Sequence, residues 1–381
     1  MRILQVGKFY YPERGGIETH LRALSRGLQG QAEVTVVVAG KRLPAAEYID
    51  GVKIERLAVA LTAFGAPICP QLIARLRRAD SDIVHVHLPN PWAAIAYLAS
   101  CCRRPLVVSY HSDVVRQSAI EPAFRPVLLQ FLKRASVIIC SSENLLKHSQ
   151  ILRKFRDRCV VVPYGIDPQH TKLVDIARVN SITAEYNRPI ILAVGRLVYY
   201  KGFEYLIGAM KDVEASLVIV GRGPRKKELL QLASDLGVAR KVTILDQVED
   251  VQPYYHAAEI FVLPSTARSE AFGIVQIEAM AAGKPVVNTE LATGVPFVSQ
   301  HGRTGLTVPP ANRQALAEAM NRLLDNPELR RQYGYAARQR AQQEFNLADM
   351  VSRTLDVYRA TIAEADALSG RQLSFKAAAG E

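Results

Sequence analysis

Short runs of consecutive apolar residues alternate along the chain with stretches whose apolar residues return every three or four positions. In the first half the runs are Ile3–Val6, Val34–Val38, Ile83–Val86, Leu106–Tyr110, Val137–Cys140 and Cys159–Val162. Between them the helical period covers Ile17–Leu28, Gln71–Arg78, Trp92–Cys101 and Glu143–Phe155. Unbroken apolar strands are those buried on both faces, so this alternation predicts a parallel sheet with helices on either side. The pattern restarts with strands at Ile190–Val194, Leu217–Val220, Val242–Leu245, Ile260–Leu263 and Pro285–Asn288, and with helices near Phe203–Met210 and Arg225–Leu236. The expected fold class is therefore α/β, with two successive doubly wound, Rossmann-like domains joined near Pro163–Pro189. Ligands of such sheets sit outside the carboxyl ends of the strands, and two such domains facing each other would hold a ligand in the cleft between them. Past Asn326 the chain reads as two helices, Pro327–Phe345 and Leu347–Leu368, and the end from Gly370 shows no apolar period and reads as a flexible tail.

Length agrees with this division: 381 residues correspond to about two domains at roughly 100–200 residues each. No run of about 18 apolar residues occurs, which argues against a membrane-spanning helix. The apolar start Ile3–Val6 is too short for a signal peptide and reads as the first strand. Five cysteines without a C-x-x-C pair argue against a disulfide framework or a zinc site and for a reducing cytoplasm. The charge is lopsided. Residues 1–165 carry 23 Lys and Arg against 12 Asp and Glu, whereas residues 166–381 carry 25 against 24. A basic half suits nucleic acid, an anionic membrane surface or a phosphorylated substrate, unless it is plain solvated surface.

Several motifs fall at the expected carboxyl ends. Gly15 and Gly16 separate the first strand from the first helix, where paired glycines let the backbone approach an anion at a helix start; a plain tight turn is the alternative. Neither G-x-G-x-x-G nor a Walker loop occurs, which disfavours a dinucleotide dehydrogenase or a P-loop kinase. His111 follows strand Leu106–Tyr110 and is an acid, base or hydrogen-bond donor candidate, or else a structural histidine. Arg196 and Lys201 follow the first strand of the second half and suit a diphosphate, one as a planar fork and the other as a point charge. The most informative stretch is Ser269–Gly283, in which Glu270 and Glu278 are separated by seven residues. Gly273 lets the loop enter a helix near Ile274, whose first amides can bind phosphate or hydroxyl oxygens. Glu278 falls about one turn, roughly 6 Å, further along an apolar helix, where an unpaired carboxylate is costly unless it serves a ligand. The single D-x-D pattern, Asp80 to Asp82, precedes a strand and so lies at the wrong end for a metal-assisted site; His85 and His87 alternate along that strand as structural histidines.

Glu270 and Glu278 together with Gly15-Gly16, His111, Gly195-Arg196, Lys201-Gly202 and Val162–Asp167 resemble the retaining group 1, or family 4, glycosyltransferases over about residues 1–365. The resemblance implies the GT-B architecture: an acceptor-side Rossmann-like domain over 1–165, a nucleotide-sugar-binding one over 166–345, a helix over 346–368 crossing back to the first, and a tail over 369–381. It implies that Arg196 and Lys201 grip the donor diphosphate and that Glu278 takes the ribose hydroxyls. Glu270 and the amides of Phe272, Gly273, Ile274 and Val275 would hold the sugar and distal phosphate. Gly16 would approach the phosphates, His111 the donor sugar, and Val248 and Asp250 the base. Ala271 departs from the glycine common at that position. Within the family, Arg196–Phe203 and Thr293–Leu306 are similar to bacterial O-antigen and capsule mannosyltransferases.

These implications make the chain a retaining mannosyltransferase using GDP-mannose, with no cofactor or metal, His111 orienting the sugar, and a polyprenyl-diphosphate-linked glycan as acceptor. A UDP-hexose donor and a non-catalytic basic binding protein are the alternatives. The expected location is the cytoplasm, at the anionic inner face of the cytoplasmic membrane, with no nucleic-acid partner. Ser118–Arg134 mixes apolar and basic residues as an interfacial segment does, or else packs into the core as a helix.

Overall fold

A computed structural model describes residues 1–13, 15–40, 45–63, 65–113, 121–167, 174–186, 188–246 and 248–378. The chain divides into two compact units, Met1–Tyr164 with Leu347–Glu381, and Gly165–Asn346.

The first unit is built on an eight-stranded sheet. In spatial order its strands are Cys159–Val161, Val137–Cys140, Leu106–Tyr110, Ile83–Leu88, Arg2–Val6, Glu33–Ala39, Val52–Leu57 and Ala45–Ile49. All neighbours are parallel except the last pair. The central strands Ile83–Leu88 and Leu106–Tyr110 are buried at every position, as their unbroken apolar sequences require. Arg2–Val6 sits between Ile83–Leu88 and Glu33–Ala39, so the winding reverses beside it, and the loops leaving its carboxyl end open onto the crevice where such sheets bind ligands. The hairpin Ala45–Ile49/Val52–Leu57 was not expected. Its Asp50-Gly51 turn has φ of 51° and 77°, the left-handed pair that a tight two-residue hairpin demands, and Asp-Gly is its usual sequence.

The second unit holds a six-stranded parallel sheet in the order Val242–Leu245, Ser216–Val220, Ile190–Val194, Ile260–Leu263, Val286–Thr289, Gly305–Val308. The chain starts at Ile190–Val194, winds outward through two strands, then returns to the other side of its starting strand. The switch point therefore lies between Ile190–Val194 and Ile260–Leu263. The core is the apolar inner face of these strands packed on helices Phe203–Ala209, Lys226–Asp235 and Arg313–Leu324.

One expectation needs correction. Helix Leu347–Ala378 continues through residues 369–378, which read as a flexible tail. A preformed helix propagates through helix formers such as Arg, Gln, Leu, Lys and Ala without needing a further apolar stripe. The segment Ser118–Arg134 lies partly outside the described residues. Its helix Glu121–Arg134 contains Pro126, and it turns Leu128, Phe131 and Leu132 into the core while Lys133 and Arg134 stay exposed. These three apolar residues are thus spent on packing. No helix among the described residues is long and apolar enough to cross a membrane.

Candidate active site

In the second unit, the two loops that leave the strands flanking the switch point carry the residues singled out in the sequence. After Ile190–Val194 come Gly195, Arg196 and a short 3-10 turn ending in Lys201; after Ile260–Leu263 come Ser265 and Glu270. These loops bring Lys201 Nζ to 2.5 Å from Glu270 Oε2, an ion pair whose side chains are only 9% and 11% exposed. Ser265 Oγ donates to the same carboxylate oxygen at 3.0 Å. The sequence marked the two residues for different parts of a ligand and gave no sign that they touch. Gly202 makes the approach possible. It sits at φ 66°, and a Cβ there would stand 2.1 Å from the carbonyl oxygen of Pro264. Arg196 is exposed at the strand end and has no carboxylate at salt-bridge distance among the described residues, so its guanidinium is available to an anion.

Gly273, at φ 75°, caps helix Ile274–Ala281. A side chain there would meet Leu263 Cδ2 at 2.6 Å, which explains the need for glycine at the turn. Phe272 is buried, and Ile274 and Val275 begin the helix with amides that have no partner further back in it. The loop is braced from behind. Gln276 Nε2 donates to the carbonyl of Phe272 at 3.0 Å, and Asn288 Nδ2 donates to Gln276 Oε1 at 2.9 Å. The carbonyl of Ala271 accepts from the Gly294 amide at 2.7 Å, which ties the backbone of the loop at this position. Glu278 lies a turn into the helix, half-buried, and accepts a 2.7 Å hydrogen bond from the Tyr255 hydroxyl at Oε2. Burial raises its carboxyl above the usual range, while the Tyr255 bond pulls the other way. Tyr255, fully buried, was not foreseen; a tyrosine in a short helix carries no signal for such a contact.

Val248 and Asp250 follow strand Val242–Leu245. Asp250 Oδ1 accepts the Gln252 amide at 2.9 Å, so this carboxylate also serves the start of helix Gln252–Ala257, a local role the sequence reading did not include.

In the first unit, Gly15 and Gly16 join strand and helix as expected. A Cβ at Gly15 would press on the Glu18 carboxylate at 2.3 Å, whereas one at Gly16 would meet no protein atom within 4 Å, so Gly16 is free to face a ligand. His111 leaves the end of strand Leu106–Tyr110 in a loop pinned by Asp113, whose Oδ1 accepts from Tyr110 at 2.8 Å and Ser149 at 2.6 Å. His111 is buried and bonded at both nitrogens: Nδ1 to the Tyr164 hydroxyl, and Nε2 to His87 Nδ1 at 3.0 Å. His87 Nε2 lies 2.7 Å from Gln5 Oε1. Gln5 Nε2 lies 3.1 Å from the hydroxyl of Tyr358, which is 2.6 Å from His85 Nδ1. His85 Nε2 ends the series 2.8 Å from Ser109 Oγ. His20 packs on the rings of His87, His111 and Tyr164. Desolvation is the main cause that lowers all four histidines: His20 to about 4, His85 to about 3, and His87 and His111 well below the usual imidazole range. Ligand nitrogens of His20, His87 and His111 lie within 4.8 Å of one another, as in a metal site, but the His87 and His111 atoms that face each other already form a hydrogen bond. His85 and His87 are structural, as expected, yet His87 touches His111 directly, which alternation along one strand could not show. Asp82 accepts the Arg2 amide at 2.7 Å at the amino end of its strand, away from all of these groups.

Comparison with known proteins identifies a family and a fold. The family model described as glycosyl transferases group 1 matches residues 178–340, and the one described as glycosyltransferase family 4 matches 14–170. The chain is 33% identical to an O-antigen chain mannosyltransferase of Escherichia coli, covering 94% of this chain and 98% of that one. It is 32% identical to the D-rhamnosyltransferase WbpZ of Pseudomonas aeruginosa over 91% and 92%. A GDP-mannose-dependent phosphatidylinositol monomannoside mannosyltransferase of Mycolicibacterium smegmatis is 28% identical over 88% and 92%. Among solved structures, a sucrose-phosphate synthase of Thermosynechococcus elongatus superposes with a TM-score of 0.80 at 23% identity over 95% of this chain and 99% of that one, a likeness of fold.

Proposed function

The chain belongs to the group 1, family 4 glycosyltransferases and has their GT-B fold, and from that premise we propose that it transfers mannose from GDP-mannose, with retention, to a hydroxyl of a lipid-linked glycan in surface-polysaccharide synthesis. The observation that carries the donor site is the convergence of Lys201, Glu270 and the Gly273 helix start on one switch point, with Glu278 a turn behind. In this reading Arg196 and Lys201 hold the diphosphate. The amides of Phe272, Gly273, Ile274 and Val275 take its distal phosphate and sugar oxygens, and Glu270 takes a sugar hydroxyl. Glu278 offers Oε1 to the ribose while Tyr255 occupies Oε2.

The bond from the anomeric carbon to the diphosphate breaks. The acceptor hydroxyl bonds to the same face, and its proton passes to an oxygen of the departing phosphate. The cations at Arg196 and Lys201 and the helix dipole stabilise the charge that develops on the leaving group, so no metal is required. His111 orients the sugar, since a buried imidazole held neutral is a poor proton carrier.

Mannose and GDP are supported by the names of the relatives from Escherichia coli and Mycolicibacterium smegmatis. The relative from Pseudomonas aeruginosa favours a second reading, a rhamnosyl donor. The polyprenyl-diphosphate acceptor rests on the O-antigen name of the Escherichia coli relative, and the peripheral position at the inner membrane rests on charge. Exposed Arg77 and Arg78, Arg103 and Arg104, Lys133 and Arg134, and Arg156 and Arg158 precede four adjacent strands of the first sheet and so form one basic rim along its amino edge. Arg158 is tied into that rim by hydrogen bonds to the carbonyls of Lys133 at 2.9 Å and Ala135 at 3.0 Å. The test is to offer GDP-mannose, GDP-rhamnose and UDP-hexoses to the protein and follow donor hydrolysis and thermal stabilisation. GDP-mannose should lead on both; a UDP-sugar that is hydrolysed while GDP-mannose is ignored refutes the reading.

A further inference from the structure

His111 stands at one end of an unbroken series of buried hydrogen bonds that passes through His87, Gln5, Tyr358 and His85 to Ser109, all within the first unit. Every side chain in the series is 7% exposed or less, so water does not compensate for a mismatched link. Donors and acceptors can be counted along it. A neutral imidazole has one N–H and one lone pair. Gln5 turns its carbonyl oxygen to His87 and its amide nitrogen to Tyr358. His87 must therefore carry its hydrogen on Nε2, which leaves a lone pair on Nδ1. His111 must then donate from Nε2 and accept at Nδ1, where the Tyr164 hydroxyl donates. In the other direction Tyr358 accepts from Gln5, so it donates to His85 Nδ1, and His85 donates from Nε2 to Ser109. Burial keeps both Tyr164 and Tyr358 protonated, so each retains the hydrogen this count requires. Reversing any single link would set two hydrogens or two lone pairs against each other, so the series has one direction throughout.

We propose that this chain of hydrogen bonds fixes His111 as the Nε2–H tautomer, in the direction given by the Gln5 amide, and that Tyr358, on the C-terminal helix, is the positioning residue that holds the Gln5 amide that way round by accepting from its nitrogen. Tyr358 is separated from His85 by 273 positions and from Gln5 by 353, so the ring that faces the sugar is set by the last helix of the chain. The inference deepens the transferase reading, in which His111 orients the donor sugar. It gives that imidazole one tautomer and one ring orientation, and since both nitrogens are committed the ring would meet the sugar through a C–H edge rather than through a nitrogen. Tyr358 touches no substrate; it acts through Gln5 and His87.

The test is nitrogen-15 NMR of the histidine side chains in the full chain, which distinguishes protonated from lone-pair nitrogens and needs no substrate. In the wild type, His111 Nε2 is expected to be protonated and Nδ1 to be the bare nitrogen. Tyr358→Phe removes one hydroxyl and should shift the His111 signals. Gln5→Met removes the middle of the series with little change in volume and should shift them the same way, and the double variant should show no more than the larger single effect. Donor turnover by Tyr358→Phe should fall about five- to tenfold in kcat with little change in KM, the loss of one hydrogen bond's worth of orientation. A wild-type His111 protonated on Nδ1 overturns the proposal. So does a Tyr358→Phe variant that melts lower with unchanged His111 signals, or a wild-type spectrum that changes on adding EDTA, which would mean a metal held by His20, His87 and His111. A wild type with the expected tautomer that turns over no GDP-mannose would refute the donor reading and leave this inference standing.

Discussion

Glu270→Gln separates the two duties of the buried pair with Lys201. The glutamine keeps the shape and can still accept from Ser265, but it leaves the Lys201 ammonium, 9% exposed, without its counter-charge. Breaking a buried ion pair from one side costs about 3–5 kcal/mol, because the surviving charge stays desolvated. At about 2–4 °C per kcal/mol for a unit of this size, the melting point should fall by roughly 6–20 °C. If Lys201 also faces the donor diphosphate, GDP brings anionic oxygens to the stranded ammonium and restores its pairing. Saturating GDP should then raise the melting point of Glu270→Gln by more than it raises that of the wild type, where the nucleotide must share Lys201 with Glu270. Lys201→Met leaves Glu270 unpaired and adds no cation, so GDP should stabilise it least. Differential scanning fluorimetry of the three proteins at pH 7.5, with and without GDP, reads all of this. Equal stabilisation of all three by GDP would remove Lys201 from the diphosphate site, and a drop below about 2 °C in both variants would show that the pair is worth no more than a surface salt bridge of at most about 1 kcal/mol.

Glu278→Ala should weaken nucleotide binding tenfold or more while the protein stays folded, since up to two charge-assisted hydrogen bonds to ribose are lost at about 1.5–3 kcal/mol each; unchanged affinity in calorimetry would take Glu278 out of the site. Activity should survive EDTA, because Arg196 and Lys201 supply the charge at the diphosphate; complete loss restored by magnesium or manganese would overturn this. Stability should fall as pH drops below about 6.5. Between that value and about 4 the unfolded chain protonates its histidines while His20, His85, His87 and His111 stay neutral in the native state, and at pH 5 each such histidine costs about 2 kcal/mol. A melting point unchanged from pH 7.5 to 5 would contradict the burial of these rings. Binding to vesicles containing anionic lipid should be strong at low salt and fall steeply as salt rises, since the Debye length shrinks to about 8 Å at physiological ionic strength. Charge reversal at Arg103, Arg104, Lys133 and Arg134 should abolish it; a protein that ignores such vesicles at low salt does not use its basic rim for membranes.

The two sheets were legible because parallel strands buried on both faces write themselves as unbroken apolar runs, and each run found in the sequence is a strand in the structure. The elements that escaped were exposed or very short. Ala45–Ile49 is exposed at four of its five positions and announces itself only through the Asp50-Gly51 turn. Gly305–Val308 is an edge strand of four residues. The end of the last helix escaped for the opposite reason: helix propagation needs no apolar pattern, so an apolar pattern could not mark where it stops.

The site was legible to the extent that its chemistry sits at strand ends. A strand-ending motif such as Gly195-Arg196 or Ser109–Asp113 declares its position on a doubly wound sheet without any knowledge of strand order. Which motifs meet depends on strand order, and strand order depends on how the crossovers wind. Lys201 and Glu270 are 69 positions apart and touch because the strand before each flanks the switch point. Had Ile260–Leu263 added to the outer edge beyond Val242–Leu245, the same motifs would lie two strands farther apart and both charges would need other partners. The histidine series makes the same point across a longer span. His85, His87 and His111 lie on or just past neighbouring strands, so their contact follows from the pairing of Ile83–Leu88 with Leu106–Tyr110, in which His85 faces Val107 and His87 faces Ser109. Tyr358 joins them only because the last helix packs on the first unit, with Val351 so close to Gly27 that a Cβ there would stand 2.5 Å from it. Residue types and strand ends locate candidate chemistry, whereas the pairings that tune it are set by the order of the strands and the return of the chain.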